Sequence, residues 1–345
     1  MMERLALFID EYEDVRFQNL LSRLEHDASV TRRQDQATTL PNIRRHFSTV
    51  RHVQVYQWHR HQLPLPFYQA HWDPPHRRTA ADKQAFYQSL ARGIPHLENL
   101  SLRNCSREDL QICAESMEPQ EEHRPFSELK SIFVVLAERE SMEERFLRAL
   151  AQLPSLTSVS LCLDELNDNC NFSVLLQSTT LNSLDIQRER VMRRQSADET
   201  LVKRTICVPK QIMPICQALK ETNQTVRSVD IEHDMSQEGV CLMLEMLETN
   251  KYMRSLTISF EIPRPETSEG TNDGCCIVSA LCNALRVNQT LQHFQNRKAN
   301  LFKASDKAHD KILSLLDDSN YTLRVLDICS EEGDDDDVRR FASKK

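Results

Sequence analysis

One hydrophobic frame recurs along this chain: an apolar residue, two variable ones, an apolar residue, one variable one, and a third apolar residue. It appears as Leu97, Leu100 and Leu102; Leu129, Ile132 and Val134; Leu156, Val159 and Leu161; and Leu181, Leu184 and Ile186. It continues as Val226, Val229 and Ile231; Met253, Leu256 and Ile258; and Leu323, Leu326 and Ile328. Weaker copies start at Met2, Val50 and Leu291, the last spoiled by Asn296 in its third apolar position. Starts lie 25 to 48 residues apart, so the short intervals define a repeat and the long ones carry insertions. The last two apolar positions alternate as on a strand with one buried face, and the frame predicts one short strand per repeat.

Helical patterns fill the intervals. Ser141 and Glu144 read as a capping box that opens a helix through Phe146, Leu147, Ala149 and Leu150. A helical run from Val240 to Leu247 follows Gly239, and Ile277, Val278, Leu281 and Leu285 mark another buried helix face. Four helices are expected to end at Asn223, Asn250, Asn288 and Asn320, each three residues before a new frame. Asn suits that place because its short side chain tolerates the left-handed conformation at a helix C-terminus.

At this point the chain resembles the leucine-rich repeat family, ribonuclease-inhibitor-like subclass. The best copy runs from Val226 to Met253, with Gly239 and Asn250 where that subclass has its Gly and its helix-ending Asn. The resemblance implies an α/β leucine-rich repeat solenoid (horseshoe), with parallel strands on the concave face and helices on the convex face. The expected organisation is a solenoid over 1–329 with insertions near 27–49, 59–80, 187–209 and 263–274, then an acidic tail without fixed structure at 330–345. One departure concerns the polar residue eight positions after each frame start. Only Cys105 fits the family's Asn or Cys there, while Asp10, Asp164, Glu189, Asp234, Glu261 and Glu331 do not. An acid accepts hydrogen bonds from that turn but cannot donate, so a looser ladder of turns is expected. A doubly wound α/β domain would share the strand–helix alternation, but it explains neither the fixed frame nor the repeated Asn. The first frame starts at Met2, leaving no room for a capping repeat. Either the product is incomplete, or self-association or the 27–49 segment covers the edge strand.

Composition narrows the chemistry. With only 5 Gly in 345 residues, neither of the glycine-rich phosphate or dinucleotide motifs can be written. No apolar run approaches the roughly 18 residues of a membrane span. The net charge of −8 argues against general nucleic-acid binding, which needs clustered cations. The 11 Cys are odd in number and scattered through apolar stretches, which fits reduced thiols in a cytoplasmic or nuclear protein better than a disulfide framework. Segment 42–79 concentrates six Arg against the single acid Asp73, together with both Trp and six His. Interleaved cations and aromatics can stack on single strands, and His59, His61, His71 and His76 could gather a metal. The four prolines there favour a third reading, an irregular loop packing its aromatics on the solenoid flank.

Side-chain alternation should turn the third and fifth frame positions toward the concave side. Ser131, Ser158, Ser183, Ser228 and Ser255 fill the third position, as a tightly curved inner face requires. The candidate contact residues are Asp185, Asp230, Glu232 and Asp327, a weakly acidic wall suited to a basic partner protein, although a charged face is often merely solvated. The insertion at 187–209 could form a hairpin with a basic tip that includes Arg193 and Arg194, or remain an exposed loop. No nucleophile elbow and no thiol-phosphatase spacing occur, so no catalytic activity and no cofactor or metal is expected. The expectation is a non-catalytic protein–protein interaction scaffold binding an unidentified partner protein through the concave face and inserted loops. Two alternatives are a Ran-type GTPase-activating protein, for which no position can be assigned, and a ubiquitin-ligase substrate-recognition subunit, for which no F-box-like region precedes the repeats.

Overall fold

The computed structural model describes residues 4–10, 50–58, 80–94, 96–118, 125–137, 140–163, 171–188, 209–260, 275–297, 314, 322–328 and 341–342. The chain divides into two compact halves, Met1–Asp164 and Glu165–Lys345. In the N-terminal half the described elements are β1 (Arg4–Asp10), β2 (His52–Trp58), α1 (Ala80–Gly93), β3 (Asn99–Cys105), α2 (Arg107–Met117), β4 (Ser131–Leu136), α3 (Glu144–Ala151) and β5 (Ser158–Leu163). In the C-terminal half they are a 3-10 turn (Phe172–Gln177), β6 (Ser183–Arg188), α4 (Pro209–Glu221), β7 (Ser228–Asp234), α5 (Gln237–Thr249), β8 (Ser255–Ser259), α6 (Cys275–Val287), β9 (His293–Asn296), β10 (Val325–Ile328) and β11 (Phe341–Ala342).

The frame sets the register. Val53 pairs with Leu5 and Leu100, Leu100 with Ile132, and Ile132 with Val159, all between parallel neighbours. In the C-terminal half the same row runs Leu184, Val229, Leu256, Phe294 and Leu326. Phe341 pairs antiparallel with Leu326 on the far side of β10. Within each half the strands lie in chain order. A doubly wound sheet reverses its order to create a ligand crevice, and neither half does so. Parallel strands in chain order, alternating with helices that pack on one another, make a repeat α/β fold of solenoid type.

The apolar positions of the complete frames are buried wherever they are described, and most are fully inaccessible, including Ile132, Val134, Val159, Val229, Ile231, Leu256 and Ile258. Each contributes about 1.5–3 kcal/mol relative to exposure. Even Asn296, which interrupts the ninth frame in sequence, is buried; its Oδ1 accepts the Phe260 amide at 3.3 Å. A second regularity lies just ahead of each strand. The carbonyls of Arg51, Glu98, Lys130, Asn182, Arg227, Arg254 and Gln292 each accept two successive amides from the following repeat, at 2.7 to 3.1 Å. Both lone pairs of one oxygen are thereby used, and adjacent repeats are pinned in register at seven places.

Two local expectations are corrected. The capping box at Ser141 is not formed: α3 begins at Glu144 with Glu143 as its cap residue and no side-chain cap bond. The capping box instead opens α2, where Ser106 Oγ accepts the Asp109 amide at 3.2 Å and Asp109 Oδ2 accepts the Ser106 amide at 2.9 Å. Nor do the turn asparagines use the left-handed region. Asn250 has φ −73° and ψ 120°, and the non-glycine residues with positive φ among those described are Asn104 and Phe126.

The turn asparagines act through their amides. Asn223 Oδ1 accepts from Thr225 and Val226, Asn250 Oδ1 from Tyr252 and Met253, and Asn288 Oδ1 from Thr290 and Leu291, at 2.8 to 3.1 Å. Each Nδ2 donates backward into the preceding repeat, to the carbonyls of Leu176 (2.8 Å), Leu219 (2.7 Å) and Leu247 (2.7 Å). Carbonyls at a helix C-terminus lack intrahelical donors, and here the next repeat supplies one. Donating and accepting at once requires an amide, which explains Asn at these sites. Asn320 lies outside the described residues.

Candidate functional site

Side chains at the fifth and seventh frame positions form rows on the sheet face opposite the buried frame. In the N-terminal half these rows hold Ser101, Phe133 and Ser160, then Arg103, Val135 and Cys162. The Arg103 guanidinium stacks over the Phe133 ring at 5.2 Å. In the C-terminal half the fifth-position row reads Asp185, Asp230, Thr257 and Gln295. Glu232 occupies the seventh position of its own repeat.

Asp185 and Asp230 are register partners on adjacent strands, and neighbouring strands lie about 4.8 Å apart. Gln187 Nε2 donates to Asp185 Oδ2 at 2.6 Å. The Arg297 guanidinium reaches two of the three acids of β7: Nη2 donates to Asp230 Oδ2 at 2.6 Å, and Nη1 lies 3.4 Å from Glu232 Oε1. Arg297 follows β9, so its side chain crosses β8 to reach β7. Thr257 and Ser259 of β8, the strand between, are buried.

Burial pushes the Asp230 carboxyl up to about 6, against the opposing pull of Arg297 and with repulsion from Asp185 adding to it. Beside it His233 is buried, its Nε2 3.3 Å from the Gln187 carbonyl. Burial holds this imidazole down at about 4, and the nearby Arg188 cation disfavours its protonation further. Asp234, the acid standing where the family prefers Asn or Cys, is buried and accepts Ser259 Oγ at 3.2 Å. It also lies 3.7 Å from the Arg188 guanidinium.

The structure therefore brings together Asp185, Asp230 and Glu232. Asp327 continues their row beside Gln295. Arg193 and Arg194, with the insertion that carries them, lie outside the described residues, as do the 263–274 loop and most of 42–79. Arg297 was missed by sequence reasoning. Its signal was available: it stands six positions after Leu291, in the same seventh frame position as Glu232 and Gln187. Chemically the cluster can hold a guanidinium or ammonium group and take up a proton at Asp230 below about pH 6. Among the described residues no set of three His, Cys, Asp or Glu is placed to hold a metal ion.

On the helix side a cavity of about 710 Å³ opens between the 3-10 turn and α4, lined by Ser173, Gln177, Gln217 and Glu221 among others. It exists because the 3-10 turn spans 6 residues where α4 spans 13. No described helix is long and apolar enough to cross a membrane. No family model and no curated protein matches the chain. Among solved structures it is similar to one titled Leiomodin-1 Actin-Binding Site 2 (ABS2), at 15% identity and a TM-score of 0.31, over 50% of this chain and 85% of that one.

Proposed function

We propose that this chain is a leucine-rich repeat solenoid of the ribonuclease-inhibitor-like kind that acts as a non-catalytic scaffold, binding a basic segment of a partner protein on the carboxylate face of β6 and β7. The observation that supports this reading is the mode of Arg297 binding: a guanidinium spans Asp230 and Glu232 at 2.6 and 3.4 Å. That geometry supports a face that takes a partner's arginine laid across it. The carboxylates stand on strands pinned by shared carbonyls, so little ordering accompanies binding.

The test is retention of a partner from cell extract by the immobilised chain, followed by titration of the purified partner. Asp230→Lys combined with Glu232→Lys should weaken binding at least tenfold, and raising the salt should weaken wild-type binding in the same direction. Unchanged affinity in the double variant removes the proposal. Stimulation of GTP hydrolysis by a retained GTPase would instead move the assignment to the Ran-type alternative.

A further inference from the structure

Of the described cysteines, Cys105, Cys113, Cys162, Cys216 and Cys282 are buried, whereas Cys276 is exposed and Cys241 half-buried. Burial raises the Cys105 and Cys113 thiols far above their ordinary range and Cys216 to about 12, so these stay protonated and inert. The other two face each other. Cys276 is the second residue of α6, and α6 packs against α5. Gln237 and Cys241 are one turn apart on α5, on one side of the helix. Gln237 Nε2 donates to the Cys276 sulfur, and Cys276 is the neighbouring group that acts most strongly on the Cys241 thiol. One exposed thiol thus rests against a second, partly sheltered one on the neighbouring repeat.

We propose that Cys241 and Cys276 are a modification site, a reversible disulfide joining adjacent repeats, with a hydroperoxide as the oxidant. The exposed Cys276 reacts first. Its sulfur attacks the peroxide oxygen, the O–O bond breaks, the departing oxygen takes the thiol proton and leaves as an alcohol (water from hydrogen peroxide), and a sulfenic acid remains. Cys241 sulfur then attacks Cys276 sulfur, the S–S bond forms, the S–O bond breaks, and the hydroxide leaves with the thiol proton as water. Two thiols are oxidised and one hydroperoxide is reduced. Burial and the neighbouring Cys276 hold the Cys241 thiol up at about 11. The bond closes the loop from 241 to 276, which contains β8 and the whole 263–274 insertion.

The experiment uses the full reduced chain, exposed to hydrogen peroxide, alkylated, digested and mapped without reductant. The expected result is a linked peptide pair through Cys241 and Cys276 that disappears with dithiothreitol. In Cys241→Ser the sulfenic acid at Cys276 should accumulate and be trapped by dimedone, while in Cys276→Ser the Cys241 thiol should remain alkylatable. Peroxide that drives Cys276 to higher oxides, or links it to Cys275, while Cys241 stays free overturns the proposal. The wild-type map decides this alone, so a variant that fails to fold does not remove the test.

Discussion

Asp109 in the N-terminal half and Asp230 in the C-terminal half are both carboxylates drawn out of water, and their surroundings treat them in opposite ways. The Asp109 side chain is fully buried, and Ser106 N, Ser106 Oγ and Lys83 Nζ surround it at 2.9, 2.6 and 2.7 Å. Asp230 stands beside Asp185 and Glu232, and among the described residues its close cation is Arg297, from two strands away. The first charge is closed off by local donors, which makes it architecture. The second sits among like charges and is partly neutralised by a long, half-exposed side chain that can be displaced. A charge serves recognition when the fold leaves its compensation incomplete.

The sharpest way to break this comparison is to remove each carboxylate. Asp109→Leu should destabilise the fold by about 3–5 kcal/mol in urea unfolding, because the Ser106 amide, the Ser106 hydroxyl and the Lys83 ammonium all lose their buried acceptor. Asp230→Leu should change stability by about 1 kcal/mol or less, since it also relieves repulsion from Asp185. Equal losses would erase the distinction between the two sites.

The turns between helix and strand differ as well. Beyond α3 the N-terminal half turns at Pro154 before Leu156, whereas the C-terminal half uses the asparagine amides. Asn250→Asp replaces the donor to the Leu219 carbonyl with a buried acceptor and should cost about 2–3 kcal/mol. Pro154→Ala alters only the freedom of the unfolded chain and should cost below about 1 kcal/mol. Denaturant midpoints of the two variants check the contrast.

The smallest effect sharpens the picture of the acidic face. Asp230 titrates at about 6 instead of 3.8, so its stabilising contribution is present below about pH 4 and is lost as the pH rises through 6. His233 titrates at about 4 instead of 6.5, so its contribution is present above pH 6.5 and is lost as the pH falls through 4. The two offset over the same interval. Asp230→Asn should therefore leave a fold that weakens on acidification from pH 6.5 to 4, and His233→Gln one that strengthens, each by roughly 2 kcal/mol once solvent screening is allowed for. Identical slopes in both variants would show that neither group is tuned by its surroundings.

The repeat was legible because every copy must bury three residues at fixed spacing: Val229 and Leu256 occupy adjoining strands, and Leu326 joins the same row one strand further on, beyond Phe294 of β9. The position of the turn asparagines was legible too, but their mechanism was not. A backbone angle cannot be read from residue type alone, and the carbonyl that Asn250 serves belongs to a residue 31 positions earlier. The Ser106 capping box escaped notice because its third helical residue is Asp109 rather than Glu or Gln. Asp185, Asp230 and Glu232 followed from alternation along the strand. Arg297 did not, because Asn296 disguised the frame that carries it.

The doubly occupied carbonyls ahead of each strand have a consequence for how such a chain can change in length. Each oxygen fixes where the following copy must begin, so a gain or loss of one residue inside a strand would present the wrong face inward. Whole copies escape that penalty, since an added one meets on either side the same two amides and the same oxygen. The molecule can therefore grow or shrink in complete multiples while tolerating extra residues only where no such oxygen reaches.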